Sequence, residues 1–252
     1  MTRVNRVKSK KLGQCFLNSH EILRKEASAA DVAGKSVIEI GAGDGRLTQK
    51  ILEAKAGKII AVEKDKNLAK TLRERFFGEN KVEIVEGDFL EVELPTVDRI
   101  VGNIPYYISS PILFHLVGMQ WGKALLMVQK EFADKMLAKP NEKNYGRLSV
   151  TAQLAFGIQY IQTVPRRFFT PRPRVDSAMI LLRPTGLKLG MDEQDIIRFL
   201  FQHKNQTVRN ALKHSKKFDV KQIEKLGEFA QRRARTLRKE ECLEIADKLK
   251  NS

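Results

Sequence analysis

The strongest constraint on the fold is a strand, a glycine turn and a helix in immediate succession. Lys35-Ser36-Val37-Ile38-Glu39-Ile40 has the make-up of a buried strand. Gly41-Ala42-Gly43-Asp44-Gly45 follows, and Leu47 to Leu52 starts a helix. A chain that passes from strand to helix through glycines is beginning a βαβ unit, and the next strand then lies parallel to the first. The pattern recurs. Lys58–Glu63 reads as a strand, Asp65–Phe76 as an amphipathic helix carrying Leu68, Leu72 and Phe76, and Val82–Val85 as a third strand. Val97–Val101 and Lys123–Val128 read as two more. The spacing predicts an α/β chain.

Open α/β sheets bind ligands outside the carboxyl ends of their strands. Four successive ends here carry chemistry. The glycine turn ends the first, and Gly41 and Gly43 allow a nucleotide to approach the backbone closely. The sixth position of a dinucleotide fingerprint is occupied by Arg46, not glycine, and Glu39 stands just before the turn. Both favour S-adenosylmethionine (SAM) over NAD. Glu63 ends the second strand, where a carboxylate accepts from ribose hydroxyls. Asp88 follows the third, placed to accept from the adenine amine of a cofactor, with Phe89 beside the ring.

The fourth end leads into Gly102-Asn103-Ile104-Pro105-Tyr106-Tyr107-Ile108-Ser109-Ser110-Pro111. The Asn103 side-chain oxygen and a carbonyl freed by the proline turn, that of Ile104 or Pro105, can both accept from an amino group. Tyr106 offers a flat face for a planar ring. The set suits a heteroaromatic amine. Ser110 is expected to cap the next helix with Pro111 at its first position.

Beyond these strands, Ile158–Val164 alternates as a strand and Val175–Leu182 is a last one. Between them, Arg166-Arg167-Phe168-Phe169-Thr170-Pro171-Arg172-Pro173-Arg174 mixes guanidinium groups with aromatic rings, a composition suited to RNA phosphates and bases. After Pro184–Gly190 the pattern turns helical only, over Asp192–His203, Val208–His214, Val220–Phe229 and Thr236–Leu249. The expected division is therefore residues 1–184 and a helical region 190–252. Formal net charge is +16 over 252 residues, and Arg3, Arg6, Lys8, Lys10 and Lys11 come with no acid among them. A polyanion partner explains that excess. Two cysteines and four histidines without ligand spacing predict no metal site. No apolar run reaches membrane-spanning length and no signal segment is read, so a cytoplasmic location is expected.

Taken together the motifs resemble the KsgA family of ribosomal RNA adenine dimethyltransferases, most of all its archaeal members. The residues that carry this are Gly13-Gln14-x-Phe16-Leu17, Glu39-Ile40-Gly41-x-Gly43-x-Gly45, Glu63, Gly87-Asp88 and Asn103-x-Pro105-Tyr106. Further on stand Gln129-Lys130-Glu131, Tyr145 to Ser149, and Phe169-x-Pro171-x-Pro173-x-Val175-Asp176-Ser177. The resemblance implies a Rossmann-like SAM-dependent methyltransferase sheet of seven strands, the last antiparallel, with a small helical C-terminal RNA-binding domain. It implies dimethylation of two adjacent adenosines in the 3′-terminal hairpin loop of small-subunit (16S) rRNA during ribosome biogenesis. The partner would be that rRNA in a pre-30S-like particle, and the protein a monomer. Gln14, Cys15, Leu17, Gly41, Gly43, Glu63, Asp88 and Asn103 would hold the cofactor. Asn103, Pro105 and Tyr106 would carry catalysis, and Phe169 would close the other face of the base. Cys15 stands where the family usually has His or Asn. Two rival readings are a related large-subunit rRNA methyltransferase and an assembly factor that binds RNA without relying on catalysis.

Overall fold

All seven expected strands are strands in the computed structural model, which describes residues 15–250. In chain order the elements are β1 (Phe16–Leu17), α1 (His20–Ala30), β2 (Ser36–Ile40), α2 (Arg46–Glu53), β3 (Lys58–Glu63), α3 (Lys66–Arg75), β4 (Val82–Glu86) and β5 (Val97–Asn103). Then come α4 (Ser109–Gly118), β6 (Trp121–Gln129), α5 (Lys130–Leu137), α6 (Arg147–Ala155), β7 (Phe156–Val164), β8 (Phe169–Thr170) and β9 (Ser177–Pro184). The chain ends with α7 (Met191–Gln202), α8 (Val208–Ser215), α9 (Val220–Glu224) and α10 (Lys239–Lys250). The basic arm and Gln14 lie outside the described residues.

Seven strands form one mixed sheet in the order β4-β3-β2-β5-β6-β9-β7. β4, β3, β2, β5 and β6 run parallel, with Ile38 opposite Ile60 on one side and Ile100 on the other. The order reverses after β2, where the chain passes to β3 on one side and β5 lies on the other. A crevice opens at such a switch point. α1 and α2 cover one face through Leu23, Ala27, Leu47 and Ile51, all in one apolar cluster with Val37, Ile59 and Val101. Burying each large aliphatic side chain contributes about 1.5–3 kcal/mol. On the same face, further along β3, Leu72 of α3 and Phe76 just beyond it pack with Ala61 and Ala42.

Helix starts follow their caps. Ser19 accepts from the Ile22 N–H, and Asp65 from those of Asn67 and Leu68. The entry to α4 differs from expectation. A 3₁₀ turn, Tyr106–Ile108, runs straight into the helix, and Ser109 is already helical, so Ser110 does not cap it. Pro111 is tolerated because it falls in the first turn, where its missing N–H has no intrahelical partner to lose. The expected Val220–Phe229 helix stops at Glu224, and a 3₁₀ turn, Gly227–Gln231, begins at a glycine with φ of 56°. The last helix starts at Lys239, not Thr236.

The chain divides into two compact units. The first comprises Met1–Ile112, Gln120–Lys130 and Tyr160–Leu181; the second comprises Leu113–Met119, Glu131–Gln159 and Leu182–Ser252. Contacts therefore divide the chain differently from a single boundary between 184 and 190. Within the second unit α6 packs on α7 and α10. The Tyr145 hydroxyl donates to the Leu237 carbonyl at 2.7 Å, and Lys204 donates to the carbonyls of Lys143 and Tyr145. These bonds tie residues 59–92 positions apart, a distance at which sequence pattern carries no signal.

Candidate active site

The glycine turn after β2 depends on backbone angles that a side chain disfavours. Gly41, Gly43 and Gly45 have φ of 69°, 59° and 79°. A Cβ on Gly45 would also stand 2.8 Å from the Leu72 side chain and 2.9 Å from that of Phe76. On Gly41 it would meet nothing within 4 Å, and this open side faces a cleft.

Glu63, buried at the end of β3, braces the turn. One carboxylate oxygen accepts from the Gly43 N–H at 2.8 Å, the other from the Asp65 N–H at 2.8 Å. Burial raises its pKa although both donors oppose the shift. Each oxygen retains a second lone pair. Glu39, also buried, is pushed up to about 8 by desolvation, with the Glu63 charge adding to the shift. After β4, Asp88 accepts from the Leu90 N–H at 3.0 Å and pairs with Lys64 at 2.7 Å.

Asn103 closes β5. The next N–H, that of Ile104, donates to the Met127 carbonyl at 3.0 Å and prolongs the pairing with β6. The Pro105 carbonyl accepts from the Ile108 N–H at 3.1 Å. Of the two carbonyls considered from the sequence, that leaves Ile104's, which no hydrogen bond engages among the described residues. Asn103 Oδ1 is likewise buried without a partner there. The Tyr106 hydroxyl and Ser177 Oγ are 2.8 Å apart, which fixes the tyrosine ring, and burial raises its pKa. Phe169 comes from a two-residue strand pair, with Leu17 opposite Phe169 and Phe16 opposite Thr170. That pair carries residues 15–17 to the site.

Cys15, Leu17, Gly41, Gly43, Asn103, Pro105, Tyr106 and Phe169 all line one cleft. Glu63 and Asp88 line a recess that shares Gly41 and Pro105 with it. Every described residue predicted for the site is therefore brought together. Ser177 and Leu23 also line the cleft and were not read as site residues from the sequence. Ser177 stood in a quoted motif but nothing local linked it to Tyr106; Leu23 read as an ordinary helix position. The basic loop is partly used up by its own structure. Arg166 donates to the Arg174 carbonyl, Arg167 lies over the Phe168 ring, and Phe168 packs on the core. All four arginines, Arg166, Arg167, Arg172 and Arg174, remain exposed.

A cofactor with an amino acid end and a nucleoside end fits this donor set. The open glycine side admits a backbone-hugging ligand, buried carboxyls suit hydroxyls or an ammonium, and Asn103 Oδ1 needs a donor. Among the described residues no group of three or more His, Cys, Asp or Glu could hold a metal ion, and no helix is long and apolar enough to cross a membrane.

A family model described as ribosomal RNA adenine dimethylase matches residues 5–251. A "Probable ribosomal RNA small subunit methyltransferase A" of Thermococcus onnurineus is 40% identical over 250 residues, covering 95% of this chain and 91% of that protein. The protein of the same description from Pyrococcus furiosus is 36% identical over 252 residues, with 95% and 91% covered. Among solved structures, a dimethyladenosine transferase from Plasmodium falciparum superposes with a TM-score of 0.80 at 31% identity, covering 91% of this chain and 95% of that one. The 23S rRNA methyltransferase ErmE reaches 0.68 at 28% identity, covering 93% and 99%.

Proposed function

This chain belongs to the ribosomal RNA adenine dimethylase family, and from that premise we propose how its cleft carries out SAM-dependent N6,N6-dimethylation of adenosine in small-subunit rRNA. The observation that carries the reading is the pair of acceptors at the end of β5, Asn103 Oδ1 and the Ile104 carbonyl, beside Tyr106 and Phe169.

SAM supplies, when bound, a methyl group on positively charged sulfur, already a strong electrophile. The chain's contribution is therefore placement. Gly41, Gly43, Cys15, Leu17, Glu63 and Asp88 hold the cofactor: Glu63 through ribose hydroxyls and Asp88 through the adenine amine. Asn103 Oδ1 and the Ile104 carbonyl accept the two hydrogens of the target amine and draw its lone pair out of conjugation with the ring. Pro105 sets the turn that presents that carbonyl. Tyr106, held by Ser177, stacks on one face of the base and Phe169 closes the other. The methylated nitrogen then loses a proton to water without a dedicated base. The target base must arrive unstacked.

The target is two adjacent adenosines in the 3′-terminal hairpin loop of 16S rRNA, met in a pre-30S-like particle in the cytoplasm by a monomer. The helical residues 190–252 and the net charge of +16 supply the phosphate contacts. The small-subunit relatives at 36–40% identity favour this target over large-subunit rRNA, the substrate named for ErmE. Mapping methylated adenines in rRNA from cells with and without the protein tests it. Loss of dimethyladenosine from the small-subunit hairpin is expected; loss confined to large-subunit rRNA contradicts the assignment.

A further inference from the structure

Glu26 is a fully buried carboxyl that no step above uses. It lies on the inward face of α1 with Ile22, Leu23, Ala27 and Ala30, all apolar. Leu23, one turn earlier, lines the cleft together with Asn103. At the other end of α1, Arg99 Nε donates to the carbonyls of Ala30 and Asp31 at 3.0 Å. Arg99 is near the start of β5 and Asn103 at its end, so α1 runs antiparallel to β5. Helix side chains lean toward their own N-terminus. Glu26 therefore reaches toward the carboxyl end of β5, where Asn103 stands.

Its polar surroundings agree. Burial and then the Glu39 carboxyl push Glu26 well above the usual carboxylate range, and the Asn103 side-chain amide opposes them. Among the described residues, neither Glu26 oxygen has a hydrogen-bond partner of good geometry, and Asn103 Oδ1 has none. An acid among aliphatic neighbours is costly to bury, and a leucine would fill the same place without that cost.

An asparagine amide is nearly symmetrical in shape. Turned one way it presents an acceptor to the target amine; flipped, it presents donors against donors. Something must choose. We propose that Glu26 is a positioning residue for Asn103: its carboxyl receives the asparagine NH2 from the α1 side, so that Oδ1 faces the reacting amine. A carboxyl, protonated or ionised, retains an oxygen that accepts, which is what this requires. The inference rests on the acceptor role given to Asn103 above.

Single-turnover methylation of small-subunit rRNA at saturating SAM tests it, using Glu26→Leu, Glu26→Met and Glu26→Gln beside Asn103→Ala. The two apolar variants are expected to fold, to bind RNA as the parent does, and to lose about tenfold or more in the rate of transfer. Glu26→Gln, which keeps a carbonyl acceptor, is expected to recover most of it. Transfer at parental rates in a folded Glu26→Leu or Glu26→Met protein would overturn the proposal. So would an equal loss in Glu26→Gln, because the acceptor would then be irrelevant. If the parent methylates and Asn103→Ala matches it, the reading of Asn103 fails instead, and the two failures are told apart.

Discussion

One carboxylate, Glu63, ties the glycine turn to the neighbouring strand end. Its oxygens accept from Gly43 and Asp65, so the residue that would hold the ribose also holds the loop that would touch it. A hydrogen bond to a charged group is worth roughly 1.5–3 kcal/mol. Glu63→Ala should therefore weaken SAM binding about ten- to a hundredfold. Glu63→Gln, which keeps one acceptor, should fall between the two. Calorimetry finding parental affinity in folded Glu63→Ala would remove the residue from the cofactor site. Tyr106 shows a comparable economy: its hydroxyl is held by Ser177, which leaves the ring face to the base that the proposed function would place there.

At the level of elements, most of the sheet was legible because the five parallel strands are short apolar runs that end in, or run straight into, a glycine, acid or amide. Val37-Ile38, Ile59-Ile60 and Ile100-Val101 are buried on both faces, as unbroken apolar runs predict. The β1–β8 pair was not legible. Phe16 and Thr170 are far apart in sequence, and two-residue strands leave no periodicity to read. The same holds for Glu26, whose meaning appears only when α1 is laid against β5. In the second unit, Glu241 at the start of α10 receives both Arg232 amino groups, at 2.8 and 3.0 Å, and the Arg238 N–H at 2.7 Å. The Arg232 guanidinium lowers its pKa to about 2. A depressed carboxyl contributes stability above its unfolded pKa and loses it as pH falls through the folded value. Because Arg232 is 37% exposed, the contribution is about 1 kcal/mol after solvent screening. Glu241→Gln should thus lower stability near pH 7, with the difference from the parent shrinking toward pH 2. A difference in thermal unfolding that does not change with pH would contradict this pairing.

For the whole molecule, an α/β sheet with a loaded switch point, a helical unit and a strong positive charge converge on one task, adding methyl groups to an adenine of rRNA. The central claim is that the acceptors at the end of β5 set where the reaction stops. An unmodified adenine donates two hydrogens to them and a monomethylated one donates one. A dimethylated base has none, and each buried acceptor left unpaired costs roughly 1–3 kcal/mol. Mass spectrometry of nucleosides from small-subunit rRNA, sampled through a time course with SAM, measures this directly. Monomethyladenosine should rise and then fall as dimethyladenosine becomes the end product. Asn103→Ala should slow both transfers about ten- to a hundredfold while RNA affinity stays near that of the parent. Monomethyladenosine that accumulates and never converts, with enzyme in excess and SAM renewed, would contradict the account.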